Sequence, residues 1–121
     1  MSVYALRGAT TVEENDREAI LEATREMLDE LLSRNSLAAG DLVSAIFTVT
    51  DDLDAEFPAL AAREMGLSAV PLLCAREIPV PGSMPGVIRV LVHYRAAEGS
   101  EAQHVYLRRA SELRSDLGSA Q

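Results

Sequence analysis

Few residues in this chain are of a type that could do covalent or acid–base chemistry, and their spacing narrows the choice further. There are two histidines, His93 and His104, and one cysteine, Cys74. A nucleophilic triad needs a histidine beside an activated hydroxyl or thiol. No G-x-S-x-G step is present, and His93 lies inside an apolar run, where it reads as a structural or surface histidine. Cys74, His93 and His104 show no ligand spacing, so no metal site is expected. "RGATT" has one glycine and no G-x-x-x-x-G-K, which excludes a phosphate loop, and no dinucleotide fingerprint appears. All 11 basic residues are arginine, so a lysine Schiff base and a pyridoxal anchor are excluded. No cofactor is expected.

What remains is a set of arginines among apolar residues. Arg7 stands in "ALRGATT", Arg89 in "VIRVLVH" and Arg63 after "FPALAA", while "CARE" carries Cys74 and Glu77. A guanidinium bounded by apolar neighbours is costly unless an anion answers it. With 19 Asp and Glu in the chain, internal ion pairs explain any single arginine. Taken together, the arginines point to a small anionic ligand, because guanidinium forks grip carboxylates bidentately. Glu77 would bond a hydroxyl or balance one cation. The residues alone carry the reading to an α+β domain that binds a small carboxylate, and no further.

Those side chains need elements to position them. Val3–Arg7 reads as a short strand stopped by Gly8, with a tight turn at the Gly-Ala-Thr step. A long amphipathic helix follows from about Asp16 to Arg34. Asn15 with Glu18, or Thr11 with Glu14, fits a capping box. Ile20, Met27 and Leu31, flanked by Leu21, Leu28 and Leu32, form its core-facing stripe. Val43–Thr50 alternates as a strand; Pro58 opens a short helix ending near Met65, with Gly66 as its stop. Val70–Ala75 reads as a buried strand, Pro79–Gly86 as a loop, and Val87–Arg95 as a strand with Ile88, Val90, Val92 and Tyr94 on one face. "HVYLRRASELR" is a strand end or short helix. The sum is α+β, with a mixed sheet of about five strands packed against helices.

At 121 residues the chain is expected to form one domain, 1–121, with 115–121 a flexible tail. A domain this small buries only about two-thirds of its unfolded surface, so oligomerisation would help it. The net charge of -8 disfavours nucleic acid as a partner. No run approaches the ~18 apolar residues of a membrane span. There is no secretory signal, and a lone cysteine suits a reducing compartment, so a cytoplasmic address is expected.

The residues just described resemble the AroH-class chorismate mutases, the small trimeric non-helical type. The likeness covers nearly the whole chain, through "LRGATTVEEN", "TVTDDLDAEFPALAARE", "VPLLCAREIPVPG", "IRVLVH" and "HVYLRRASELRSDL". It implies a homotrimer whose sheets join into a pseudo α/β-barrel, with an active site at each subunit interface. It implies the Claisen rearrangement of chorismate to prephenate, on the route to phenylalanine and tyrosine. By the same resemblance Arg7 binds a substrate carboxylate, and Arg89 reaches the ether oxygen of the breaking bond. Glu77 bonds the ring hydroxyl with Cys74 close by, and Tyr106 bonds a carboxylate. Phe57, Ala59 and Arg63 close the pocket from the adjoining subunit, and Leu113 and Arg114 cover its mouth. Leu60 stands where family members often carry a lysine, and Arg76 where "MQE" is common. A trimeric imine or enamine deaminase and a non-catalytic small-carboxylate-binding module are the alternatives.

Overall fold

A computed structural model of the chain describes residues 1–116. Its elements run β1 (Ser2–Thr11), α1 (Arg17–Arg34), β2 (Leu42–Val49), α2 (Pro58–Ala62), β3 (Leu72–Arg76), β4 (Val87–Ala96) and β5 (Val105–Tyr106). Short 3-10 segments occupy Ala39–Asp41 and Arg108–Asp116, and a π-type turn, Arg63–Leu67, follows α2. The strands form one open mixed sheet in the order β3-β2-β4-β1-β5. β4 is antiparallel to both β1 and β2, whereas β3 and β5 are added parallel at the two edges. The expected α+β architecture with five strands is what the chain adopts.

One face of the sheet is covered. α1 lays Ile20, Leu21, Ala23, Thr24, Met27, Leu28 and Leu31 against it, and each fully buried Leu, Ile or Met contributes about 1.5–3 kcal/mol. Strand residues Leu6, Phe47, Ile88, Val90 and Val92 meet them from the sheet. The helix comes so close at Gly8 that a Cβ there would lie 2.9 Å from Leu31 Cδ1 and 3.1 Å from Val90 Cγ1. This corrects the reading of Gly8 as a strand stop. β1 runs on to Thr11 without a turn, and the missing side chain serves packing.

The start of α1 also differs from expectation. Asp16 is the cap, its Oδ2 accepting from the Ala19 N–H at 3.0 Å. Asn15 is occupied elsewhere: its Oδ1 accepts from the backbone N–H groups of Asp54 and Ala55, both at 3.0 Å, and its Nδ2 donates to Asp54 Oδ1. Arg17 Nε donates to Glu56 Oε1 at 2.9 Å. Together these fasten the loop that leads into α2, which Pro58 opens as expected. Gly66 ends that helical stretch with φ +95°, a conformation side chains disfavour. Of the tail expected over 115–121, Ser115 and Asp116 belong to the last 3-10 segment, and 117–121 lie outside the described residues. Among the described residues, no helix is long and apolar enough to cross a membrane.

Candidate active site

Strand pairing, rather than nearness in sequence, assembles the candidate residues. Successive side chains on a strand point to opposite faces, so registered residues form rows that share a face. One row crosses the sheet as Ala75–Thr48–Arg89–Ala9–Tyr106 on the side away from α1. The next row on that side is Leu73–Ile46–Leu91–Arg7, one two-residue step along, or about 7 Å. Arg7, Arg89 and Tyr106 therefore converge on one face although up to 99 positions separate them (106 minus 7). They line a cleft of about 250 Å³ with Ile46, Thr48 and Leu91.

Arg89 is held rigidly. The ladder continues one residue past β3, because the Glu77 N–H donates to the Val49 carbonyl at 2.9 Å. Glu77 thereby falls on the same face as Ala75, next to Thr48 and Arg89. Its Oε2 accepts from Thr48 Oγ1 at 2.7 Å and from Arg89 Nε at 2.9 Å. The Arg89 and Glu77 side chains are only 28% and 17% exposed, so this pair is screened less than the surface pairs elsewhere on the chain. The bond uses Nε–H, and the two terminal nitrogens carry four further donors. Arg7 and Arg89 line this cleft, with Glu77 bonded to Arg89, in a chain whose total charge is -8.

Arg7 and Tyr106 are fixed through the sheet edge. Leu107 N–H donates to the Ala9 carbonyl at 2.9 Å, closing the short β1–β5 ladder at one end. At the other end the Arg7 N–H donates to His104 Nδ1 at 3.0 Å. His104 is held below the usual histidine range, first by partial burial and then by the Arg7 guanidinium. Sequence reasoning had passed over His104; the signal available was its place two residues before Tyr106, at the start of an edge strand.

Cys74 lies on the other side. Three positions separate it from Glu77, and an odd spacing on a strand reverses the face. Its row is Cys74–Phe47–Val90–Gly8–Val105, against the core. Within one chain Cys74 is thus not beside the Arg89–Glu77 pair. It lines a second cleft, of about 340 Å³, with Phe57, Glu56, Leu53 and Arg76. Phe57 is 64% exposed at its rim. Ala59 is in the core, and Arg63 is exposed on the turn after α2. Leu113 shares a third cavity with Arg89, Arg109 and Met84, so the last 3-10 segment lies beside Arg89. Arg114 continues that segment, but its side chain lies outside the described residues. Among the described residues, no group of three or more His, Cys, Asp or Glu is placed to hold a metal ion.

A family model for chorismate mutase type I matches residues 3–117. The chain belongs to this family. It is 53% identical to the chorismate mutase AroH of Thermus thermophilus over 121 residues, covering 98% of this chain and 99% of that one. With the chorismate mutase AroH of Bacillus subtilis it shares 37% identity over 119 residues, 97% of this chain and 94% of that one. Among solved structures, a chorismate mutase from Clostridium thermocellum superposes with a TM-score of 0.87 at 45% identity, over 90% of this chain and 98% of that chain. The resemblance drawn from "RGATT", "CARE", "IRV" and "HVYL" is the family that the type I chorismate mutase model identifies.

Proposed function

We propose that this protein is a chorismate mutase, an isomerase that rearranges chorismate to prephenate in the cytoplasm, acting as a homotrimer of one-domain chains. The observation that carries the reading is the Arg89 guanidinium. It is braced by Glu77 Oε2 on a face that also bears Arg7 and Tyr106, so donors are aimed before any ligand arrives. Such a rearrangement has no nucleophile, no base and no metal step. It needs the substrate bent so that its reacting ends meet, and that orientation is worth up to about 7–11 kcal/mol in favourable models. As the ether C–O bond stretches, negative charge grows on its oxygen. A fixed cation there stabilises the transition state more than the ground state, and only that difference raises the rate.

In this reading Arg7 and Tyr106 bind substrate carboxylates, the terminal nitrogens of Arg89 meet the ether oxygen, and Glu77 Oε1 accepts from the ring hydroxyl. The core-side cleft with Phe57 and Cys74 faces the arginine face of a neighbouring subunit, with Ala59 and Arg63 behind it. Leu113 and Arg114 cover the mouth. The opposite facing of Cys74 and Glu77 supports this arrangement, because a site using both is completed across subunits. The test is direct: incubate purified protein with chorismate and follow the loss of its absorbance alongside the appearance of prephenate. Turnover without added cofactor, unaffected by EDTA and lost as the trimer dissociates on dilution, is expected. Intact chorismate would overturn the activity, and fully active monomers would overturn the shared site.

A further inference from the structure

The backbone of Arg7 is held by a side chain where a strand would ordinarily do it. β5 pairs with β1 only from Val105, opposite Gly8, so the ladder starts one residue too late to serve the Arg7 N–H. The acceptor is instead His104 Nδ1 at 3.0 Å. We propose that neutral His104 is a positioning residue for Arg7, completing the β1–β5 ladder with its ring nitrogen and so fixing the carboxylate-binding arginine relative to Tyr106. This deepens, and rests on, the function proposed above.

The chemistry of the bond dictates the protonation state. A backbone N–H has only a hydrogen to give, so Nδ1 must offer its lone pair and the ring proton must sit on Nε2. An imidazolium has no acceptor and would break the bond. The surroundings favour the neutral ring. From β1 the facing charge is the Arg7 guanidinium, which, after burial, opposes a second cation. From α1 the neighbouring segment is met by Asn35, which does not titrate: its Nδ2 donates to the Gln103 carbonyl at 3.0 Å and its Oδ1 accepts from the Gln103 N–H at 2.8 Å. Among the described residues of that half of α1 and of the last 3-10 segment, Glu26 is paired with Arg108, Glu30 with Arg34 and Glu112 with Arg109. Gln103 is therefore clasped on one side and the β1–β5 ladder on the other, leaving His104 as the joint between them. Protonation adds a cation near Arg7, but on an exposed ring that charge is screened by salt, whereas the lost hydrogen bond acts on geometry directly.

The experiment compares the full-length chain with His104→Asn and His104→Phe between pH 5.5 and 8.5. Asparagine puts an oxygen near the place of Nδ1 and does not titrate; phenylalanine removes the acceptor. In the wild-type chain, KM for chorismate should be level above about pH 7 and rise about 3- to 10-fold as His104 protonates, with kcat changing less. His104→Asn should keep a level KM across the range, and His104→Phe should show the raised KM at every pH. The Arg7 amide resonance should shift with the His104 ring in the wild-type chain. An Arg7 amide indifferent to that titration, a normal KM in His104→Phe, or an acid rise that persists in His104→Asn would overturn the proposal. Should the wild-type chain leave chorismate intact, the function itself fails, and the amide titration still decides whether His104 holds Arg7.

Discussion

The two faces of the sheet are built by the same five strands and serve opposite ends. The face toward α1 is apolar and closed, with Leu6, Phe47, Ile88, Val90 and Val92 each no more than 3% exposed. The other face alternates with it residue by residue and carries Arg7, Thr48, Glu77, Arg89 and Tyr106. A strand's period of two is thus a sorting device, in which one residue contributes cohesion and the next contributes chemistry. Rigidity on the first face is what lets the second hold charged donors still. The core anchors the strands, and the strands aim the guanidinium groups.

If that division is right, damage to one face should leave the other's property standing. The largest effect is expected for Arg89→Lys, which should lower kcat by at least about 10²-fold because an ammonium cannot both keep the Nε bond to Glu77 and present a planar fork. Its thermal midpoint should stay close to that of the parent, and a near-normal kcat would remove Arg89 from its role. On the closed face, Leu31→Ala should cost about 2–5 kcal/mol of stability in urea melts, since Leu31 is fully buried against Gly8. Its kcat, measured where the chain is still folded, should change little; a large fall would show that the faces are less separate than this account requires.

Smaller effects sharpen the same contrast. Thr10 Oγ1 is buried on the closed face with no hydrogen-bond partner among the described residues. Thr10→Val should therefore stabilise by about 1 kcal/mol, and a loss of stability would reveal a partner for that hydroxyl. His104 gives the smallest term. Its folded-state pKa lies below the unfolded value near 6.5, so its contribution to stability is present above about pH 6.5. That contribution is lost as pH falls from there through the lowered folded value. Urea midpoints taken at pH 7.5 and 5.5 should differ more for the wild-type chain than for His104→Asn.

Much of this was legible in the sequence, because alternation and helical spacing are local signals. β2, β4 and the stripe of α1 fall where their patterns put them. The opposite facing of Cys74 and Glu77 was also written there, in a spacing of three, although resemblance drew the two together. What could not be read was register. Nothing local says that Arg89 sits opposite Ala9 or that Tyr106 ends the same row, because pairing across about 80 or 100 positions is decided by the whole sheet. Asn15 and Gly8 misled for a related reason. Each looked like a local signal, a cap and a stop, and each is used by a distant partner, the 54–55 loop and α1.

The open edge strand β3 leaves Leu73 61% exposed, and Val3 on the same side is 57% exposed. Oily side chains on an unguarded strand invite indiscriminate sticking between copies. Copies of the chain that meet through these side chains would be prone to clump, so yield during expression and refolding should fall as protein concentration rises, and added detergent should change recovery more than catalytic quality.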